Sequence, residues 1–151
     1  MPRRYYRRYR RTKRKYSVEQ RALQFNLAAS TTTAVVVVPS TVTQGMRKVK
    51  NFTVNLVSVS DTTVPIYWAL VYVPQGTQAG SLNITNVGIS LYEPNQFVIT
   101  CGISDPTAGP IRFYSPLSRN LNSGDAIYLL VANQSTDVPS VCGTVRYAIS
   151  Y

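Results

Sequence analysis

RRYYRRYRRTKRK, residues 3–15, holds nine Arg or Lys, three Tyr and one Thr, with no acidic residue. That is the composition of a phosphate grip. Arg brings several fixed donors and a planar face that stacks on bases, whereas Lys brings a compact point charge. Tyr5, Tyr6 and Tyr9, with Tyr16 just beyond, add surfaces for base stacking, a contact tolerant of sequence. No regular spacing puts a reading face into a groove, so binding through this run is expected to be sequence-independent and steeply salt-dependent. The candidate nucleic-acid-binding residues are therefore Arg3, Arg4, Tyr5, Tyr6, Arg7, Arg8, Tyr9, Arg10, Arg11, Lys13, Arg14 and Lys15. The same run is compatible with recognition by nuclear import machinery. A solvated tail is the plain alternative, and it leaves the tyrosines unexplained.

A weaker cluster, MRKVK, supplies Arg47, Lys48 and Lys50. Arg47 lies an odd number of positions from the two lysines, so a regular strand would split the three across its faces.

Other chemistries lack their residues. The chain has no His, which removes Ser-His-Asp and Cys-His catalysis, His-ligated zinc and the usual neutral-pH base. The acids Glu19, Asp61, Glu93, Asp105, Asp125 and Asp137 are mostly Asp in turn contexts such as SDP and SGD, where backbone hydrogen bonding accounts for them. Neither GxGxxG nor GxxxxGK[ST] occurs. No catalytic residue, metal site or cofactor is expected, and the chain does not read as an enzyme. Cys101 and Cys142 stand 41 residues apart without a CxxC, the pattern of buried free thiols. The sequons at Asn51, Asn83 and Asn133 suit chance in a Thr- and Asn-rich chain with no secretory apolar segment. AVVVV and IYWALVYV are too short to cross a bilayer as helices, so membrane insertion is not expected.

The elements that must carry these residues are β-strands. Residues 1–16 hold nine of the 16 basic residues, whereas residues 17–151 balance seven basic against six acidic ones. The chain therefore divides into an arm, 1–16, and one domain, 17–151, long enough for a real core. Strand candidates are ALQFNL (22–27), TTTAVVVV (31–38), VKNFTVNLVSVS (49–60), IYWALVYV (66–73), FVITCGI (97–103), IRFY (111–114), AIYLLVAN (126–133) and GTVRYAISY (143–151). The third changes phase after Leu56, which predicts a bulge near Leu56–Val57. The fourth is apolar at every position, which predicts burial on both faces, with Tyr67, Trp68 and Tyr72 as core or interface aromatics. In the last, Val145, Tyr147, Ile149 and Tyr151 share a face, tying the final residues into a sheet. Residues 75–95 read as a long loop with a short strand or helical turn near 82–91. About eight strands at near-regular spacing predict an all-β sandwich or closed barrel. Scarce charge with abundant Thr, Ser, Asn and Gln suits a surface consumed by subunit contacts.

MPRRYYRRYRRTKRKY resembles the N-terminal arginine-rich arm of capsid proteins from circoviruses and related small circular Rep-encoding single-stranded DNA viruses. The β-rich remainder, with PIYWALVYVP and GTVRYAISY, looks like a compact version of their single jelly roll. The resemblance implies an eight-stranded antiparallel jelly-roll sandwich with a disordered basic arm. It implies a T = 1 icosahedral homo-oligomer of roughly 60 copies. Their arms would place on the order of 500 positive charges against a single-stranded DNA genome. The implied locations are the virion and, during assembly, the host nucleus. A coat protein of a small or satellite single-stranded RNA virus would read similarly, as would a cellular basic-tailed nucleic-acid-binding β-domain. A sandwich enzyme or carbohydrate-binding module with an incidental tail fits least.

Overall fold

The computed structural model describes residues 15–59, 64–79, 97–134, 136 and 138–150, and the backbone of 84–85 and 88–89. Its strands are β1 (Ser17–Asn26), β2 (Thr32–Val38), β3 (Arg47–Ser58), β4 (Ile66–Val73), β5 (Ile84–Thr85), β6 (Gly88–Ile89), β7 (Val98–Ser104), β8 (Ile111–Leu121), β9 (Ala126–Asn133) and β10 (Ser140–Ser150). Eight of them form two antiparallel four-stranded sheets, in the orders β1-β10-β3-β8 and β2-β9-β4-β7, and β5 pairs with β6 alone. The chain is all-β.

Counting only those eight strands, the first pairs with the last, the second with the seventh, the third with the sixth and the fourth with the fifth. This is the pairing of one long hairpin. The additional pairs β10–β3 and β4–β9 arise when that hairpin is wrapped so that its halves lie side by side.

Alternation places the core between the sheets, since successive side chains point to opposite faces. Val145, Tyr147 and Ile149 of β10 share the buried face with Phe52, Val54 and Leu56 of β3, as the period-two pattern requires. Trp68, Leu70, Leu129 and Val131 face them from the other sheet, and the Trp68 ring meets Phe113 at a centroid distance of 4.8 Å. The opposite face of β4 is buried too: Ala69, Val71 and Val73 join Leu130 and Ala132 in a second cluster. The continuous apolarity of residues 66–73 thus has a reason on each side. Tyr151, expected on the core face of the last strand, and residues 80–83, 86–87 and 90–95 of the expected loop lie outside the described residues.

Four sequence expectations need correction. β1 begins at Ser17 rather than residue 22, because an edge strand in water needs no apolar alternation in its first half. β8 continues past residue 114 to Leu121, with Pro116 accommodated on the sheet edge, where no partner needs its missing N–H. The bulge in β3 falls at Asn51, not Leu56–Val57: the register with both β8 and β10 shifts there, and Asn51 has φ 57°. Asn tolerates that left-handed conformation better than most residues. Val57 is a half-buried outer-face residue and not the sign of a face switch. Finally, the thiols are free but not buried, Cys101 being exposed and Cys142 partly so, because both stand at outward positions of their sheets.

At Gly143 the backbone of β10 comes close against β3. A Cβ there would collide with the Asn55 carbonyl oxygen and stand 2.7 Å from Leu56 Cδ2. Since β10 and β3 cannot separate without breaking their ladder, Gly143→Ala is expected to cost about 2 kcal/mol, the range of overpacked cores. Thermal melting of the variant measures this.

Candidate nucleic-acid interface

Of the arm, Arg3, Arg4, Tyr5, Tyr6, Arg7, Arg8, Tyr9, Arg10, Arg11, Lys13 and Arg14 lie outside the described residues. Its root is described. Lys15 is exposed and Tyr16 is half-buried, and the Lys50 ammonium stands 3.9 Å from the centroid of the Tyr16 ring. That cation–π contact sets the arm's exit against the outer face of the β1-β10-β3-β8 sheet. The strand that follows is held from the inner side as well: the Tyr147 hydroxyl donates to Glu19 Oε2 at 2.7 Å.

MRKVK divides as strand geometry requires. Arg47 turns inward and is 7% exposed, donating to the carbonyl oxygens of Pro39 at 3.1 Å and Asp125 at 3.3 Å. It is a structural residue, and its place among the weaker nucleic-acid candidates is corrected on that ground. Lys48 and Lys50 point outward, opposite Asn120 and Ser118 of β8.

The outward positions of this sheet can be read in rows across its strands. One row is Tyr114, Thr53, Arg146 and Gln20; its neighbour is Ser118, Lys50, Ala148 and Val18; and beyond Thr53 comes Arg112, Asn55, Thr144 and Ala22. Successive outward positions along a strand stand roughly 7 Å apart, and neighbouring strands roughly 5 Å apart. Lys48, Lys50, Arg112 and Arg146 therefore share one face with Tyr16 and Tyr114, amid Thr, Asn, Ser and Gln. Tyr114 is 62% exposed, with its hydroxyl directed at Asn51 Oδ1 over 3.3 Å. Arg112, Tyr114 and Arg146 were invisible as site residues in the sequence, because 34 positions separate Arg112 from Arg146 and only sheet register brings them together.

No described acid shares that face. Glu19 sits at an inward position opposite Tyr147. Asp105 caps the turn Pro106–Ala108, accepting from the Thr107 hydroxyl at 2.7 Å and the Thr107 N–H at 2.9 Å, bonds that hold its carboxyl below the usual range. Asp125, 4% exposed, accepts from Asn122 N at 2.7 Å, the Tyr72 hydroxyl at 2.8 Å and Gln75 N at 3.0 Å. Burial opposes its charge, but these three donors and the Arg47 charge outweigh burial and lower its pKa. The same burial, and then the Asp125 bond and charge, push Tyr72 up to about 12 against the opposing Arg119. Tyr147 is likewise pushed up to about 12 by burial and Glu19. The expected role of Asp as a turn former holds at 105 and 125, whereas Asp61, Glu93 and Asp137 lie outside the described residues.

Among the described residues no group of three or more Cys, Asp or Glu is placed to hold a metal ion, and no helix is long and apolar enough to cross a membrane. Asn133, in the third sequon, is 4% exposed. The face can neutralise phosphates with four cations, offer two rings for stacking and supply uncharged donors, without base-reading geometry. The chain matches no known protein family, and no curated protein matches it in sequence.

Proposed function

We propose that this protein is a capsid subunit that self-assembles into a small icosahedral shell and packages a single-stranded DNA genome. What carries the reading is the face of Lys48, Lys50, Arg112 and Arg146, which no described acid shares and which the root of the basic arm joins at Tyr16. Arm and face together form one sequence-tolerant surface for a polyanion. Support for a jelly roll comes from the strand order. Eight strands paired first with last through fourth with fifth, in two sheets, suit a two-Greek-key wrap, an architecture recurrent in viral capsids, lectins and cupins. In a T = 1 shell of roughly 60 copies, closed by symmetry, the arm and this face would look inward. The proposed locations are the virion and the host nucleus, where the arm would also engage import machinery. A satellite-type RNA coat would use the same surface, and nuclease sensitivity of the packaged polymer separates the two.

A second reading draws on the same face. A cellular single-strand-binding β-domain would also hold its ligand with the folded body. Electron microscopy and the ratio of absorbance at 260 to 280 nm test both on the purified full chain. Particles containing nucleic acid are expected, and the triple variant Lys50→Ser, Arg112→Ser, Arg146→Ser is expected to assemble with less of it. A monodisperse monomer in sedimentation across a range of salt would exclude the capsid reading and leave the cellular one.

A further inference from the structure

At the open edge of the first sheet, Lys48, Ser118, Arg119 and Asn120 meet Tyr72 and Phe97 around a cavity of ≈ 420 Å³. Arg119 differs from the outer-face cations. It pairs with Val49 at an inward position, its Nε is buried with no hydrogen-bond partner, and among the described residues no carboxylate bonds to it. Its side chain is half-buried, so part of the guanidinium has left water at Nε while its outer nitrogens stay open to the cavity, where an anion could accept from them. The two rings of the cavity wall are nearly parallel, 12° apart in plane with centroids 6.1 Å apart. The Tyr72 N–H donates to the Phe97 carbonyl oxygen at 2.6 Å, and the Tyr72 hydroxyl is fixed by Asp125, so this wall is set in place before any ligand arrives. The Asp125 carboxylate bonds its own three donors, and none of them is Lys48 or Arg119.

A flat aromatic wall, two cations and a side-chain amide describe a particular kind of ligand. A purely anionic ligand would have no use for the rings, and a purely apolar one would leave two cations stranded. The volume lies within the range of small-molecule sites. We infer that this cavity binds one nucleotide of a single strand, its base against the Phe97–Tyr72 wall and its phosphate between Lys48 and Arg119, with the Asn120 amide available to a base edge. This rests on the proposed binding of single-stranded nucleic acid and adds a discrete seat for one base. Lys48 belongs to both the outer face and the cavity, so a strand tracking across the face reaches this seat by crossing β8.

The test uses the full chain and a single-stranded oligonucleotide carrying one 2-aminopurine, whose fluorescence falls when the base stacks. Binding and quenching are followed against salt concentration. The unmodified chain is expected to bind steeply with salt and to quench the probe. Phe97→Leu is expected to weaken binding about 5- to 100-fold, the effect of losing one stacked base, and to lose most of the quenching with the salt slope unchanged. Arg119→Gln is expected to reduce the slope by about 0.7, one phosphate contact on a single strand. Lys48→Gln, a change at a half-buried strand position, is expected to do the same, as its place on the outer face also requires. No binding by the unmodified chain would overturn the underlying reading. Normal binding with full quenching by Phe97→Leu, and a slope unmoved by Arg119→Gln, would overturn the seat alone and leave that reading standing.

Discussion

Deleting residues 1–16 is expected to weaken binding to a single-stranded oligonucleotide at least a thousandfold at 0.15 M salt. The nine cations of residues 3–15, fully engaged, are worth about five orders of magnitude under those conditions, at about 0.7 counterions released per phosphate. The four outer-face cations and Arg119 remain in the truncated protein. The slope of log affinity against log salt is therefore expected to fall from about −10 to about −3.5, not to zero. Fluorescence anisotropy titrations at four or five salt concentrations measure both quantities. A slope that stays near its full value would move the site from the arm to the body. Replacing Tyr5, Tyr6 and Tyr9 with Ser separates charge from stacking. It is expected to leave the slope unchanged and lower the affinity by about 1–3 kcal/mol per stacked base. Unchanged affinity would reduce the arm to charge alone.

Asp125→Ala is expected to be the most destabilising single change outside the hydrophobic core. One buried carboxylate gathers the Asn122 N–H, the Gln75 N–H and the Tyr72 hydroxyl, and its own carbonyl accepts from Arg47. It thereby ties the β8–β9 turn to the segment after β4 and to the start of β3. Alanine leaves two backbone donors and a phenol without that acceptor at a part-buried junction, and it removes the negative charge that faces Arg47. The loss is expected to be about 3 kcal/mol, lowering the melting midpoint by roughly 10 °C. Because the folded pKa of Asp125 lies below its ordinary value, the carboxylate stabilises the fold at neutral pH. That contribution fades as pH falls from the ordinary carboxylate value through the lower folded one. Asp125→Asn keeps the shape and is expected to flatten this acid limb. Tyr72 and Tyr147 act at the other end. Raised to about 12, they favour the fold below the ordinary phenol value of 10.0 and withdraw that support as pH climbs through about 12. Denaturant melts from acid to alkaline pH measure both limbs.

Particular residues show what could be read in advance. Trp68 and Leu70 were legible because a long apolar run bounded by Pro65 and Pro74 has few places to go except a sheet interior, and the apolar run of β9 was legible for the same reason. Val145, Tyr147 and Ile149 were legible through alternation. The first half of β1 was not, since SVEQR faces water on an edge and obeys no hydrophobic period. Nor was the lower half of β8, where SPLSRN breaks alternation around the irregularity at Asn51. The arm announced itself by composition alone. The outer face did not, because Lys48, Lys50, Arg112 and Arg146 become neighbours only when β3, β8 and β10 fall into register. Arg47 shows the converse: a basic residue inside a basic cluster was drawn away by two carbonyl oxygens.

The position of β1 has a mechanical consequence. It is an edge strand joined to β10 along its length, from Ser17 opposite Ile149 to Asn26 opposite Ser140, and β10 is in turn clamped by β3. Residue 16 feeds directly into that strand. Tension applied along its axis by a polymer attached to residues 3–15 loads every rung of the ladder in shear, and the rungs resist together. Force at right angles would peel them one after another. The tether is thus strongest in the direction of a longitudinal pull, and the Tyr147–Glu19 bond adds a lateral pin three residues from the point of attachment.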